Sequence, residues 1–393
     1  MKLNHIYKSI ACGVLLAMTA TSCDLDYNPV DTYSDVTEGV NKTDEKPIFN
    51  SVQDVETSMV TLHKKFRDRQ EHWYVDKLLI GDAHSDNAYA GTTGAEVVPY
   101  ETNSIEGSNS VLKRDWDRFL GDIAVANRII VGCDQLKALS ESERGKYQSQ
   151  AKIFRAMVMF DMVRLWGNFP VITTVGGDIT EDNVEEMYPT YFPPQNTAEE
   201  AYAQIEKDLT EAVENPNTPT NDTSDKSILT KSVARAMLAK VYAEKPLRDY
   251  AKVIKYADEL AADGFDLVED FSDLWAYDTE KKDCRVRNTK EAILEAHFPP
   301  GSGNWCTWMF GRNLSNWDES FTWAKWITPS RDLIRLYEEQ GDTKRYNESV
   351  VWYDCGWSNY YPADHYAFMY KCRSAFNSII YLRSVSYTHL TLP

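Results

Sequence analysis

Basic residues are scarce in this chain. Its 393 residues carry 42 Lys and Arg against 60 Asp and Glu, a formal charge of −18 at pH 7. A surface that neutralises phosphates needs clustered Lys and Arg, so nucleic acid is excluded as a partner. Cysteine is sparse as well: there are seven, with no CxxC and no Cys/His spacing of the kind that holds zinc. After the N-terminal segment, no apolar run approaches the ~20 residues of a membrane-spanning helix. The sequence has no GxSxG, HExxH, P-loop or GxGxxG motif. The Asn/Asp-rich stretch 217–225 does not match a calcium loop. The seven His are scattered, and His84 between Asp82 and Asp86 reads as part of a solvated loop rather than a metal site. Among 60 carboxylates some pair always lies at glycosidase separation, so that criterion carries no weight. Together these absences point away from an enzyme and call for neither cofactor nor metal.

What is present begins with a targeting segment. Lys2 and Lys8 precede a short apolar run, Ile10–Ala20, followed by small residues and Cys23. The run is too short to span a bilayer and has the flanks of a signal peptide. Small residues ending in Cys read as a lipobox, so residues 1–22 are expected to be removed and Cys23 to be lipidated. Ala20 stands where such a box usually has Leu. Residues 23–50 are polar and aperiodic and read as a tether.

From Ser51 the pattern is helical. Val52, Val55, Met59, Leu62 and Phe66 form one stripe, with Ser51 and Asp54 at capping positions. A loop is expected over 81–107 and a helix from Asp115 to Gln135. Ser140 and Glu143 form a capping box that opens the central helix. Nearly every position from Ile153 to Trp166 is apolar, and Gly167 and Pro170 stop the run. Such a helix is normally buried on most sides. Arg155, Asp161 and Arg164 are its exceptions, spaced to pair along one stripe. A polar loop is expected over 178–194, then helices capped by Thr197 and Thr230, and a last one over 249–263 with Tyr250, Val253, Ile254, Ala257 and Leu260 on one side. Thr230–Asp263 spans 34 residues with small residues in its first helix, which matches the ~34-residue tetratricopeptide (TPR) period. The expected fold class is therefore all-α, with TPR-like helix pairs in a curved array and long irregular insertions.

The segment FRAMVMFDMVRLWGNFPVI, 154–172, resembles the hallmark FLRAxxYFxLVxLYGxVPLV of the SusD/RagB family. Phe154, Arg155, Ala156, Phe160, Val163, Arg164, Leu165, Gly167, Pro170 and Val171 fall on the pattern, and Trp166 replaces the usual Tyr. WDRFLGDIAVANR at 116–128, AYAQIEKDLTEAVE at 201–214, LTKSVARAMLAKVYA at 229–243 and the GDTKR ending at Arg345 resemble further family segments, in family order. The resemblance implies an outer-membrane lipoprotein that captures nutrients, usually glycans, for a SusC-like TonB-dependent transporter. It also implies that Asp24 and Asp26, behind the lipidated Cys, belong to a surface-export signal. The helical domain is expected over 51–383. FNSIIYLR at 376–383 resembles the start of a family helix that does not follow, and residues 384–393 read as a non-native tail on an incomplete domain.

Seven of the 11 Trp crowd into 305–357. Trp305, Trp308, Trp317, Trp323 and Trp326 lie in an aperiodic insertion with Asn304, Arg312, Asn316 and Asp318. Exposed rings stack on the apolar faces of sugars, and adjacent polar groups bond the hydroxyls. Packing as a satellite core under a long loop is the alternative. Trp73, Tyr74, Asp82 and Asp86 form a second candidate group. Two functions remain: a glycan-binding surface lipoprotein serving a transporter, and a TPR-type scaffold that binds protein or peptide.

Overall fold

The computed structural model describes residues 47–68, 71–90, 95–177, 179, 183–274, 277–278, 283–284, 286–297, 327–353, 366–369 and 382–386. The signal segment, Cys23 and the Trp-rich insertion lie outside the described residues.

Helix boundaries follow local chemistry. Helix α1, Val52–Asp68, is opened by a reciprocal cap. The Ser51 hydroxyl accepts from the Asp54 N–H at 3.3 Å, and the Asp54 carboxylate accepts from the Ser51 N–H at 3.0 Å. Helix α2, Ser110–Gln135, starts ahead of the expected Asp115 because Asn109 caps it, accepting from the N–H groups of Val111 and Leu112. Helix α3, Glu141–Trp166, carries the expected Ser140–Glu143 capping box and stops at Gly167, whose φ of 73° only glycine adopts freely. Helix α4, Val184–Tyr191, occupies a stretch expected to be loop; it holds Pro189 within it, which is why no helical pattern showed. Helices α5, Ala198–Glu214, and α6, Lys231–Ala243, start at Thr197 and Thr230 as expected. Helix α7, Tyr250–Ala262, is followed by Gly264 at φ 92°.

Helix α3 is the centre of the packing. Its second half is buried on all sides, from Ser149 to Val163 with only Lys152 partly open. The reason is topological: α2 lies against one side and α5 against another, with α1 and α6 also touching it. Burying side chains such as Phe154 and Phe160 stabilises by roughly 1.5–3 kcal/mol each. Ala234, Ala236 and Ala239 of α6 are fully buried and let α5 and α7 come close. On α7 the expected stripe is only half right. Leu260 is buried and Val253 and Ala257 are half-buried, while Tyr250 and Ile254 are 59% and 62% exposed; Tyr256, off the expected stripe, is buried.

The three polar residues of α3 do not pair with one another, contrary to the expected stripe. Each reaches another element instead. The Arg155 guanidinium donates to both Asp208 oxygens of α5, from Nε at 2.8 Å and Nη2 at 2.7 Å, and its Nη1 donates to Asn127 of α2 at 2.7 Å. Asn127 in turn donates to the carbonyls of Ile172 and Thr174 at 2.9 and 3.2 Å, pinning the chain that leaves α3. Asp161 takes Lys77, and Arg164 takes Glu244. Sequence spacing along one helix was a poor guide because the helix has neighbours on every side.

Short strands join distant segments. Strand β1, Ala88–Ala90, lies in the stretch expected to be loop over 81–107. Strands β2, Ala292–Ala296, and β3, Ile327–Pro329, flank the Trp-rich insertion. β1 pairs antiparallel with β3. β2 pairs with β6, Leu382–Ser386, so Val385 and Ser386 take part in a ladder. β4, Val350–Tyr353, pairs with β5, Tyr366–Met369, beyond helices α8, Arg331–Gln340, and α9, Thr343–Ser349.

The start of the described chain is fixed at the far end of α2. The Ile48 N–H donates to Gln135 Oε1 at 3.0 Å, and the Phe49 ring fills the space over Gly132. A Cβ at Gly132 would lie 2.4 Å from ring carbons of Phe49.

The Arg155 network predicts a clear asymmetry. Arg155→Ala leaves the Asp208 carboxylate buried and unpaired, and is expected to cost about 3–5 kcal/mol in urea unfolding. The double change Arg155→Met with Asp208→Leu removes both charges and is expected to recover most of that loss. Equal destabilisation by the single and double variants would show that the charge pairing is not what matters.

Candidate functional site

The chain between α1 and β1 is wound unusually. Glu71–Val75 and Leu79–Ala83 are π-helical around one α-turn, Asp76–Leu78. Wider turns of this kind are frequent at functional sites. Here they turn His72, Trp73, Tyr74, Val75 and Asp76 inward in succession.

Trp73 and Tyr74 therefore belong to the core and offer no face to a sugar, which corrects the sequence expectation. They are 2% and 3% exposed. The Trp73 ring meets Phe66, Phe119 and Phe154 at centroid distances of 5.2, 6.1 and 5.5 Å, and its indole N–H donates to Asp122 at 3.0 Å. The Tyr74 hydroxyl donates to the Phe66 carbonyl at 2.7 Å. Asp82 is half-buried, and burial pushes its carboxyl above the usual range. Asp86 is exposed, and its carbonyl accepts from the Ser330 hydroxyl at 2.5 Å. Trp305, Trp308, Trp317, Trp323, Trp326, Asn304, Arg312 and Asp318 lie outside the described residues.

One juxtaposition bears on both candidate groups. β3 follows Trp326 directly in the chain and pairs with β1, which follows Asp86 and Asn87. The Ser330 N–H donates to the Asn87 carbonyl at 3.0 Å, and the Arg331 N–H donates to the Tyr89 hydroxyl at 3.3 Å. Residues 327–331, which follow the Trp-rich insertion in sequence, thus lie beside Asp86–Ala90, although more than 200 residues separate them.

Behind that loop is a cleft of about 240 Å³, lined by His72, Lys77, Ile80, His84, Asp115, Phe119, Asp161, Arg164 and neighbours. Its rim is cationic. Lys77 Nζ sits 2.6 Å from Asp161 and 5.8 Å from the centre of the Trp73 ring. Arg164 Nε lies 3.0 Å from Glu244, and the guanidinium covers the Phe160 ring. Burial, then the charge of Lys77, lowers the Lys240 ammonium to about 8 against the pull of Asp161. The floor is polar and incompletely satisfied. His72 Nε2 lies 2.8 Å from Asp122, the acceptor that also takes the Trp73 indole N–H, so the ring proton sits on Nε2. Nδ1 is left as a buried lone pair without a hydrogen-bond partner.

Asp115 and Asp76 meet on the same floor, 1% and 0% exposed, with Arg114 bonded to Asp76. Burial first, then the charge of Asp76 and a hydrogen bond to it, raise the Asp115 carboxyl far above its ordinary value. Like-charged carboxyls in contact share one proton. Lys77, Arg164, Asp115 and His72 were not singled out as site residues from sequence. The only available signal was that Asp161 and Arg164 interrupt an apolar helix.

A second surface also escaped the sequence reading. Tyr188 and Phe192, 57% and 67% exposed, stand 4.7 Å apart on α4 and its C-terminal residue. Beside them runs a groove of about 270 Å³ lined by Val171–Thr174, Pro189, Thr190 and Pro193. Among the described residues no cluster of His, Cys, Asp and Glu is arranged to hold a metal ion. No described helix is long and apolar enough to cross a membrane.

The raised Asp115 carboxyl sets a pH dependence. The folded protein keeps a proton that the unfolded chain releases near pH ~4. The stability this group contributes is therefore full below pH ~4 and is lost as pH rises toward the folded value. Asp115→Asn is expected to flatten the fall in melting temperature between pH 5 and pH 8 relative to the unaltered protein. Parallel curves for the two would refute the shared proton.

Comparison with known proteins follows from this architecture. A SusD-like family model described as "Starch-binding associating with outer membrane" matches residues 33–243, more than half of the chain. A SusD-like protein of Bacteroides ovatus is 25% identical over 309 residues, covering 75% of this chain and 50% of its own length. The chain thus spans about half the length of that relative. Surface glycan-binding protein A from Bacteroides fluxus superposes with a TM-score of 0.67 at 20% identity, over 86% of this chain and 74% of its own. Surface glycan-binding protein A from Bacteroides thetaiotaomicron, solved in complex with laminarihexaose, gives 0.65 at 14% identity, over 86% and 77%. These likenesses show the fold. The chain belongs to the SusD-like family of starch-binding proteins associated with the outer membrane.

Proposed function

We propose that the protein is a non-catalytic, cell-surface lipoprotein that captures an oligosaccharide or polysaccharide and delivers it to a SusC-like TonB-dependent transporter. Residues 1–22 act as the signal peptide, Cys23 carries the lipid in the outer membrane, and residues 23–50 form a tether to the helical body. The observation that supports this reading is the β1–β3 pairing, which sets Ile327–Pro329, the residues that follow Trp326 in sequence, against Ala88–Ala90. Anchored in this way, Trp305, Trp308, Trp317, Trp323 and Trp326 form the platform on which sugar rings stack, and Asn304, Arg312 and Asp318 bond the hydroxyls. Related proteins of this fold carry laminarin-derived ligands, which makes laminarin oligosaccharides the first probe.

Calorimetry with laminarihexaose on Ala variants of the five Trp is the direct test. At least one variant is expected to lose roughly 1–3 kcal/mol of affinity with its melting temperature nearly unchanged. A core Trp instead costs about 3–5 kcal/mol of folding stability. The platform is wrong if all five variants melt early and none weakens binding selectively.

The anchor has its own readout. Incorporation of labelled palmitate into the expressed chain is expected to vanish in Cys23→Ala. Label that survives the change would rule out Cys23 as the anchor.

A further inference from the structure

The cleft between the π-wound segment and the C-terminal turn of α3 holds groups that the fold itself does not use. Two of its buried polar atoms, His72 Nδ1 and Asp115 Oδ1, make no hydrogen bond. Leaving such an atom without a partner is unfavourable, so an occupant that supplies one is favoured. His72 Nδ1 is an acceptor, because Nε2 carries the proton toward Asp122. Asp115 Oδ1 lies 3.8 Å from Arg114 Nε, beyond hydrogen-bond distance, and its carboxyl is hydrogen-bonded to Asp76. His72 Nδ1 therefore calls for a donor, and a hydroxyl supplies one.

The rim calls for the opposite partner. Lys77 and Arg164 line it beside Asp161, and Lys240 and Glu244 lie near enough behind them to interact with their charges. Lys240 has no carboxylate within 4.0 Å among the described residues. Asp115, held protonated, adds no compensating charge from the floor. The local balance is one positive charge in excess, on a chain whose net charge is −18. Phe119, Ile80 and Leu165 supply apolar wall between rim and floor. An occupant must therefore carry an anion at one end, hydroxyl donors at the other and a partly apolar ring face between them. The volume, about 240 Å³, suits one sugar-sized unit.

We propose that this cleft binds a hydroxylated monocarboxylate of the size of one uronic acid residue, its carboxylate between Lys77 and Arg164 and a hydroxyl donating to His72 Nδ1. The assignment rests on the cleft alone and stands apart from the Trp platform.

Titration of the full chain at pH 7 with glucuronate, glucose and inorganic phosphate tests it by calorimetry. Glucuronate is expected to bind at least tenfold tighter than either of the others, about the value of one charge-assisted hydrogen bond. Arg164→Gln, an exposed position at 47%, is expected to weaken glucuronate roughly tenfold without lowering the melting temperature. In the unaltered protein, glucuronate is expected to shift the imidazole nitrogen resonance of His72 Nδ1, which tests the floor without a variant. Glucose binding as tightly as glucuronate would remove the role of the carboxylate. Phosphate binding as tightly would reduce the cleft to a plain anion site. Undiminished binding by Arg164→Gln, or no binding of glucuronate, overturns the proposal.

Discussion

The arrangement of the helices depends on one buried ion pair. Arg155 and Asp208 are 4% and 1% exposed and meet through two parallel hydrogen bonds. The desolvation of such a pair offsets much of its attraction, so its net contribution to stability is small. Its effect lies in what it forbids. A planar guanidinium satisfies both carboxylate oxygens in one geometry only. Sliding α5 along α3 by a single residue would strand both charges in the interior. Gln204 donates to Asp208 at 2.9 Å, and Asn127 binds Arg155 and the chain after α3 together. Three helices and one exit strand are thus held in register from one point, while the surrounding apolar contacts supply the stability.

Local chemistry was legible in the sequence, and long-range geometry was not. The caps at Ser51, Ser140, Thr197 and Thr230 were readable because both partners lie within one turn. The family segments containing Asn127, Arg155 and Asp208 were each recognisable, yet nothing in the linear pattern says that these three residues touch. Trp73 looked like a ligand-facing ring because it precedes a polar loop. The π-turns that swing it inward have no sequence periodicity to betray them. The β1–β3 pairing joins residues so far apart that neither strand, three residues long, stands out from its surroundings. Helix α4 was hidden by Pro189 and by the polarity of its flanks.

Electrostatics divides the molecule in a similar way. The chain as a whole repels anions, yet its cleft is lined by Lys77 and Arg164, with Lys240 close enough to feel both charges. Burial makes this possible on both sides. It pushes a proton onto Asp115 and so removes a negative charge, and it weakens the hold of Lys240 on its own proton. The same π-wound segment that forms the cleft wall leads directly into β1, which pairs with β3.

The fixing of Phe49 over Gly132 has a mechanical consequence. Whatever pulls on the chain upstream of Ile48 delivers its force to the C-terminal end of α2, through one hydrogen bond to Gln135 and one ring seated against a bare backbone. A ring wedged over a glycine resists by shape, and shape is lost abruptly once the ring leaves its seat. The seat exists only because position 132 has no side chain, so this end of the body is held by a single backbone-lined hollow.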